Sequence, residues 1–260
     1  MLNDKIFNQR LRDILKVHFN EKSGTIYWLE KARELGISPF SEIQSIQDLK
    51  EFGPMDDEAM RTRPVEDFIP RKYWGNRISW IIGETGGTSG IPKTTVYSKD
   101  DFFHAFIYPF KTVAEYRKFP RGKNWLWIGP GGPHLIGQAA RECAKVTESP
   151  DPFSVDFDPR WAKKLPQDSI GFKRYLEHVI EQAMRIIEIQ KIQIIFSTPK
   201  VLVRLKEVMS ETLREKILGI HFGGMALTEE AFASIEAAFP RAIMISGYGN
   251  TLYGMCPEFH

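Results

Sequence analysis

From residue 79 onward, short apolar runs rich in β-branched and aromatic residues alternate with longer stretches whose apolar positions recur at helical spacing. That alternation predicts an α/β domain with largely parallel β-sheet layers joined by crossover helices. The expected strands are 78–82, 125–128, 192–196, 217–222 and 242–246, with a further extended segment at 94–97. The clearest helix covers 172–188, where Phe172, Leu176, Val179, Ile180, Ala183 and Ile187 share one face, as a crossover helix packed on a sheet requires. Helix starts are expected after Ser98 with Asp101, at Thr198 before Pro199, and at Thr228 before Glu229 and Glu230. Residues 1–77 have a different texture. Ile6, Leu11, Ile14 and Leu15, then Tyr27, Leu29 and Leu35, predict short helices with few strand signals. The expected organisation is a helical N-terminal region, 1–77, followed by an α/β lobe, 78–260, with 149–159 as the best internal break because of its prolines.

Composition narrows the classes without choosing one. The 260 residues suffice for a large core without disulfides, and 42% apolar with 26% charged residues is a globular balance. Lys and Arg outnumber Asp and Glu by only 35 to 33, so no global charge favours nucleic acid or an anionic membrane. Cys143 and Cys256 are far apart and lie in no metal-ligand spacing, which disfavours zinc and fits a reducing, cytoplasmic setting. No apolar stretch reaches spanning length or reads as a signal peptide.

Candidate chemistry concentrates in Thr85-Gly86-Gly87-Thr88-Ser89-Gly90-Ile91-Pro92-Lys93. Glycines let backbone N–H groups converge on an anion, hydroxyls add neutral donors, and a lysine adds compact positive charge, the combination a polyphosphate needs. Pro92 stands between the last glycine and Lys93, so the spacing is not that of a Walker A loop. The glycine separation also fails the dinucleotide fingerprint, and an extended segment follows where that motif has a helix. A plain hairpin connection is the alternative reading of the same residues.

The segment resembles the signature loop of adenylate-forming enzymes, with Gly87, Thr88, Gly90, Pro92 and Lys93 in matching positions, Thr85 at the first hydroxyl and Ser89 at the second threonine; Gly86 replaces a usual hydroxyl residue. Two later segments resemble the same superfamily in the same order. Gly223-Gly224-Met225-Ala226-Leu227 is similar to its adenine-contacting Gly-Gly-x-x-Leu run, and Gly247-Tyr248-Gly249-Asn250-Thr251 to its Tyr-Gly-x-Thr-Glu run. A fourth stretch around Gly129, Pro130, His134 and Gly137 resembles one whose histidine borders the carboxylate substrate. The wording of these motifs is most similar to phenylacetate-CoA ligase and coenzyme F390 synthetase.

The resemblance implies the large N-terminal domain of an AMP-forming ligase. ATP would activate a small carboxylic acid as acyl-adenylate, with CoA as the acyl acceptor. By the same resemblance Thr88, Lys93 and Thr251 act on the phosphates, Tyr248 stacks on adenine, and His134 and Gly137 border the substrate. Mg²⁺ is implied too, but Leu252 occupies the position of the family's metal-holding glutamate, leaving Glu258 as the substitute to test. Only nine residues follow Thr251, too few for the family's closing C-terminal domain, so a truncated chain or an isolated lobe is expected. The alternatives are therefore a non-catalytic ATP- and acyl-binding lobe acting with another chain, or F390 synthetase-like nucleotidyl transfer. A dimer, or a partner supplying the missing lobe, is left open.

Overall fold

The computed structural model describes residues 2–87, 90–166 and 168–258, with side chains described from Ile6 onward. The chain divides into two compact units, residues 1–82 with 91–99, and residues 83–90 with 100–260.

The first unit is built on short helices. In Leu2–His18, residues Leu11 and Leu15 are buried and continue to Phe19, an i, i+4, i+8 stripe, whereas Ile6 and Ile14 face solvent. That stripe packs with Ala32, Ile43 and Phe52, and Phe19 stacks on Phe52 at a centroid distance of 5.2 Å. Ile26–Leu35 buries Tyr27, Leu29 and Ala32 but leaves Leu35 exposed. The strand expected at 78–82 begins later: Arg71–Ser79 is 3₁₀ helix and strand β1 is Ile81–Glu84, with Ile78 almost fully exposed. Strand β2, Thr94–Tyr97, pairs with β1 in a two-stranded sheet, so the glycine-rich segment connects the two.

The second unit carries a six-stranded sheet. Strands β3 (Asn124–Gly129), β4 (Phe153–Asp156), β5 (Ile192–Ser197), β6 (Gly219–Gly223), β7 (Ile243–Asn250) and β8 (Gly254–Pro257) lie in the order β4-β3-β5-β6-β7-β8. The first five are mutually parallel and β8 runs antiparallel to β7. Central parallel strands are covered on both faces, hence the nearly continuous apolar sequence Trp125, Leu126, Trp127, Ile128 of β3. Strands 125–128, 192–196, 217–222 and 242–246 are all realised within a few residues. The proline-containing break instead holds β4, which pairs Val155 with Ile128 at the sheet edge.

One face of the sheet receives Ile170–Ile189, Pro199–Val208 and Glu229–Ala238, whose residues Val179, Ile180, Ala183, Ile187, Val201, Leu202, Leu205 and Ile235 form one buried cluster with Leu126, Ile128, Ile195 and Ile220. The Ser169 and Thr228 hydroxyls cap two of these helices, accepting from Phe172 N at 3.1 Å and Ala231 N at 3.2 Å. Lys99–Phe102 runs into a π-helical turn, Phe103–Ile107, and then Tyr108–Tyr116. Phe110 and Phe119 contact Trp125 edge-on or tilted, at 5.9 and 5.8 Å. Leu135–Val146 packs beside the π-helical turn. No helix among the described residues is long and apolar enough to cross a membrane.

Candidate functional site

The connection leaving β3 goes to β4 on one side, and the connection leaving β4 returns to β5 on the other side of β3. Loops that diverge beyond the carboxyl ends of neighbouring parallel strands leave a crevice there, the usual ligand position in an open α/β sheet. A cavity of about 560 Å³ occupies that place. Its wall includes Pro130 and His134 after β3, Ser197 and Thr198 at the end of β5, Gly223 to Met225 at the end of β6, and Gly247, Gly249, Asn250 and Thr251 from β7 and its turn. Segments separated by more than a hundred residues of sequence, three of them expected site segments, thus converge on one space.

Local sequence explains this convergence. Gly223 and Gly247 are register partners, and a Cβ at Gly223 would fall 2.4 Å from the Gly247 carbonyl oxygen, so only glycine lets the strand ends approach. Gly224 follows at φ 80°, a left-handed turn away from the strand. The Asn250 carboxamide accepts from Leu252 N at 2.7 Å, an Asx turn that fixes the loop through Thr251. His134 occupies the residue before the helix Leu135–Val146. Burial, and then the Arg160 guanidinium, hold its imidazole below the ordinary histidine value.

The other expected residues are placed as follows. Gly137 lies in the first turn of that helix, outside the cavity lining. Tyr248 points from the opposite side of β7 to Gly247 and Gly249, is 71% exposed, and its hydroxyl lies 3.4 Å from that of Tyr253, so it too is outside the lining. Met225 is in the wall yet 44% exposed. Thr85, Gly86, Gly87 and Gly90 belong to the second unit and Lys93 to the first, where its ammonium pairs with Asp57 at 2.6 Å. Thr88 and Ser89 lie outside the described residues.

Glu258 sits beyond the other end of the β7–β8 pair. Its carboxylate accepts from the Ser246 hydroxyl, and it borders a separate, smaller cavity with Arg117, Phe232 and Glu236. Among the described residues no group of three or more His, Cys, Asp or Glu side chains is arranged to hold a metal ion. Mg²⁺ commonly completes its shell with substrate phosphates and water rather than with a cage of protein side chains.

The structure also adds residues that motif reading missed. Arg160 Nη2 donates to Glu84 Oε2 at 2.8 Å and to the Thr85 carbonyl at 2.9 Å, tying the start of the glycine segment to the cavity-lining turn at Pro159. Asp156 Oδ1 accepts from Gly131 N at 2.5 Å and steadies the loop that carries His134. Neither residue belongs to a glycine motif, and only the pairing of β3 with β4 brings Asp156 to that loop.

No family model and no curated protein matches the sequence. Solved structures do match the fold. A 2-hydroxyisobutyryl-CoA ligase in the postadenylation state with 2-HIB-AMP superposes with a TM-score of 0.64 at 15% identity, over 95% of this chain and 48% of that one. The thioesterification state, with 2-HIB-AMP and CoA, gives 0.61 at 14% identity, over 94% and 48%. An open conformation gives 0.57 at 16% identity, over 95% and 49%. The chain therefore has a fold found in an acyl-CoA ligase, as its sequence resemblance led us to expect, and spans about half the length of the structures it matches.

Proposed function

We propose that the chain is the nucleotide- and carboxylate-binding lobe of an AMP-forming acid–CoA ligase. The observation that carries this reading is the convergence of Gly223, Gly224, Gly247, Gly249, Thr251 and His134 on one cavity at the crossing of the sheet connections. The ligase that shares the fold holds an acyl-adenylate and CoA, and this supports the assignment.

A carboxylate is a poor electrophile because its charge repels nucleophiles. In the proposed reaction its oxygen attacks the α-phosphorus of ATP, the bond to the β-phosphate oxygen breaks, and pyrophosphate departs. A thiol such as that of CoA then attacks the acyl carbon, releasing AMP and giving its proton to solvent. Little covalent chemistry falls to the protein, which aligns reactants and stabilises phosphate charge. Backbone N–H groups of the glycine segments and the Thr251 hydroxyl supply that stabilisation. Mg²⁺ would arrive with the nucleotide phosphates. Pro130, His134, Trp127, Phe157 and Leu176 border the apolar part where the acyl chain lies. The wording of the motifs, which resembles that of phenylacetate-CoA ligase and coenzyme F390 synthetase, favours that branch.

Calorimetric titration with ATP and Mg²⁺ tests the reading, beside Thr251→Val. The expected result is saturable binding that weakens in the variant, followed by carboxylate-dependent pyrophosphate release. Absence of ATP binding by folded protein would overturn it.

A further inference from the structure

His221 projects from the middle of β6 and is fully buried, yet it borders the cavity. Its ring contacts Phe196, at a centroid distance of 4.1 Å, and Phe110, at 4.9 Å, both tilted. Nδ1 is 2.9 Å from the Ile245 carbonyl oxygen. A carbonyl only accepts, so Nδ1 carries the proton and, in the neutral ring, Nε2 presents a bare lone pair. That nitrogen is buried and has no hydrogen-bond partner among the described residues. Leaving a buried polar atom unmatched is costly, and native structures rarely do so without a reason.

The neighbour of the ring along the cavity wall is a residue without a side chain. Gly247 also lines the cavity, and a Cβ there would come 3.1 Å from His221 Cε1, the carbon bonded to both nitrogens. Phe106, Trp127, Phe196 and Met255 complete an apolar wall around the same region. A purely hydrocarbon occupant would seal the lone pair away from water unpaired, whereas one carrying a hydroxyl or amide N–H would satisfy it.

We infer that His221 Nε2 is a specificity-determining acceptor in the cavity, selecting an otherwise apolar ligand that bears one neutral hydrogen-bond donor, a hydroxyl in the simplest case. Under the proposed function this makes the substrate a hydroxylated carboxylic acid. The inference rests on that reading for the word acid alone.

The test uses matched probes at neutral pH on the full chain: para-hydroxyphenylpropanoate against phenylpropanoate, and the neutral pair para-cresol against toluene. Binding is read by calorimetry, and the His221 Nε2 resonance by ¹⁵N NMR, a readout needing no variant. The hydroxylated member of each pair should bind about 3- to 10-fold more tightly, should move the Nε2 resonance upfield, and should lose its advantage in His221→Phe, which keeps an aromatic ring in the stack. If the acids bind without a hydroxyl preference, or the preference survives His221→Phe with Nε2 unmoved, the acceptor role is overturned and the carboxylate reading stands. If only the neutral pair binds, with the preference intact, the acceptor role stands and the carboxylate reading falls. Failure of all four probes to bind would overturn both.

Discussion

The Cα of Gly223 faces the carbonyl oxygen of Gly247 so closely that a single methyl at 223 would sit 2.4 Å from it. Two glycine motifs far apart in sequence are thus held together by a contact that tolerates no side chain. The obstacle is backbone, which cannot rotate away like the end of a flexible side chain. Gly223→Ala should therefore lower stability by about 1–3 kcal/mol, measured by urea unfolding, and weaken nucleotide binding. An unchanged midpoint would mean that the strand ends separate freely.

Lys93 pairs with Asp57 in the first unit, and the ammonium holds the Asp57 carboxyl below its ordinary value of 3.8. A carboxyl depressed in this way contributes stability that is present above the ordinary value and lost as pH falls through the lower, folded one. By NMR the Asp57 titration should sit below 3.8 and rise toward it in Lys93→Ala. The same variant should bind ATP about 10-fold or more weakly if Lys93 serves the phosphates. A normal Asp57 titration in the wild type would remove the ion pair from the account.

Burial lowers His221 from 6.5 to about 4. The neutral ring is thus favoured on folding, so its contribution is complete above pH 6.5 and declines as pH falls toward 4. The loss across that window is on the order of 3 kcal/mol. Stability followed by denaturant unfolding should drop over this range, and His221→Phe should flatten that part of the profile. Parallel profiles for the two proteins would contradict a buried neutral ring.

Cys143 has no exposed surface and burial pushes its thiol far above the ordinary range, whereas Cys256 is exposed on β8. Alkylation of the native protein should therefore modify Cys256 alone, and Cys143 only after unfolding. Equal labelling rates by mass spectrometry would show that the helix Leu135–Val146 opens readily.

Where local chemistry suffices, the fold was legible in the chain. The run from Trp125 to Ile128 reads as a buried strand because parallel strands are covered on both faces, and Thr228 reads as a cap because its hydroxyl can meet the Ala231 N–H. Strand β4 was hidden: four residues between prolines carry too little pattern, and its existence depends on β3 beside it. Strand β8 is likewise held by pairing with β7.

The sequence by itself determined the α/β class, the order of the glycine segments and the residue types suited to phosphate, because these follow from short-range periodicity and backbone freedom. Only the tertiary structure decided which of them share a space. The pleat of β7 turns Gly247 and Gly249 to the cavity and Tyr248 to solvent, and Lys93 is set against Asp57. The same packing leaves His221 Nε2 without a partner among the described residues, since pairing of a buried atom depends on neighbours brought from distant parts of the chain.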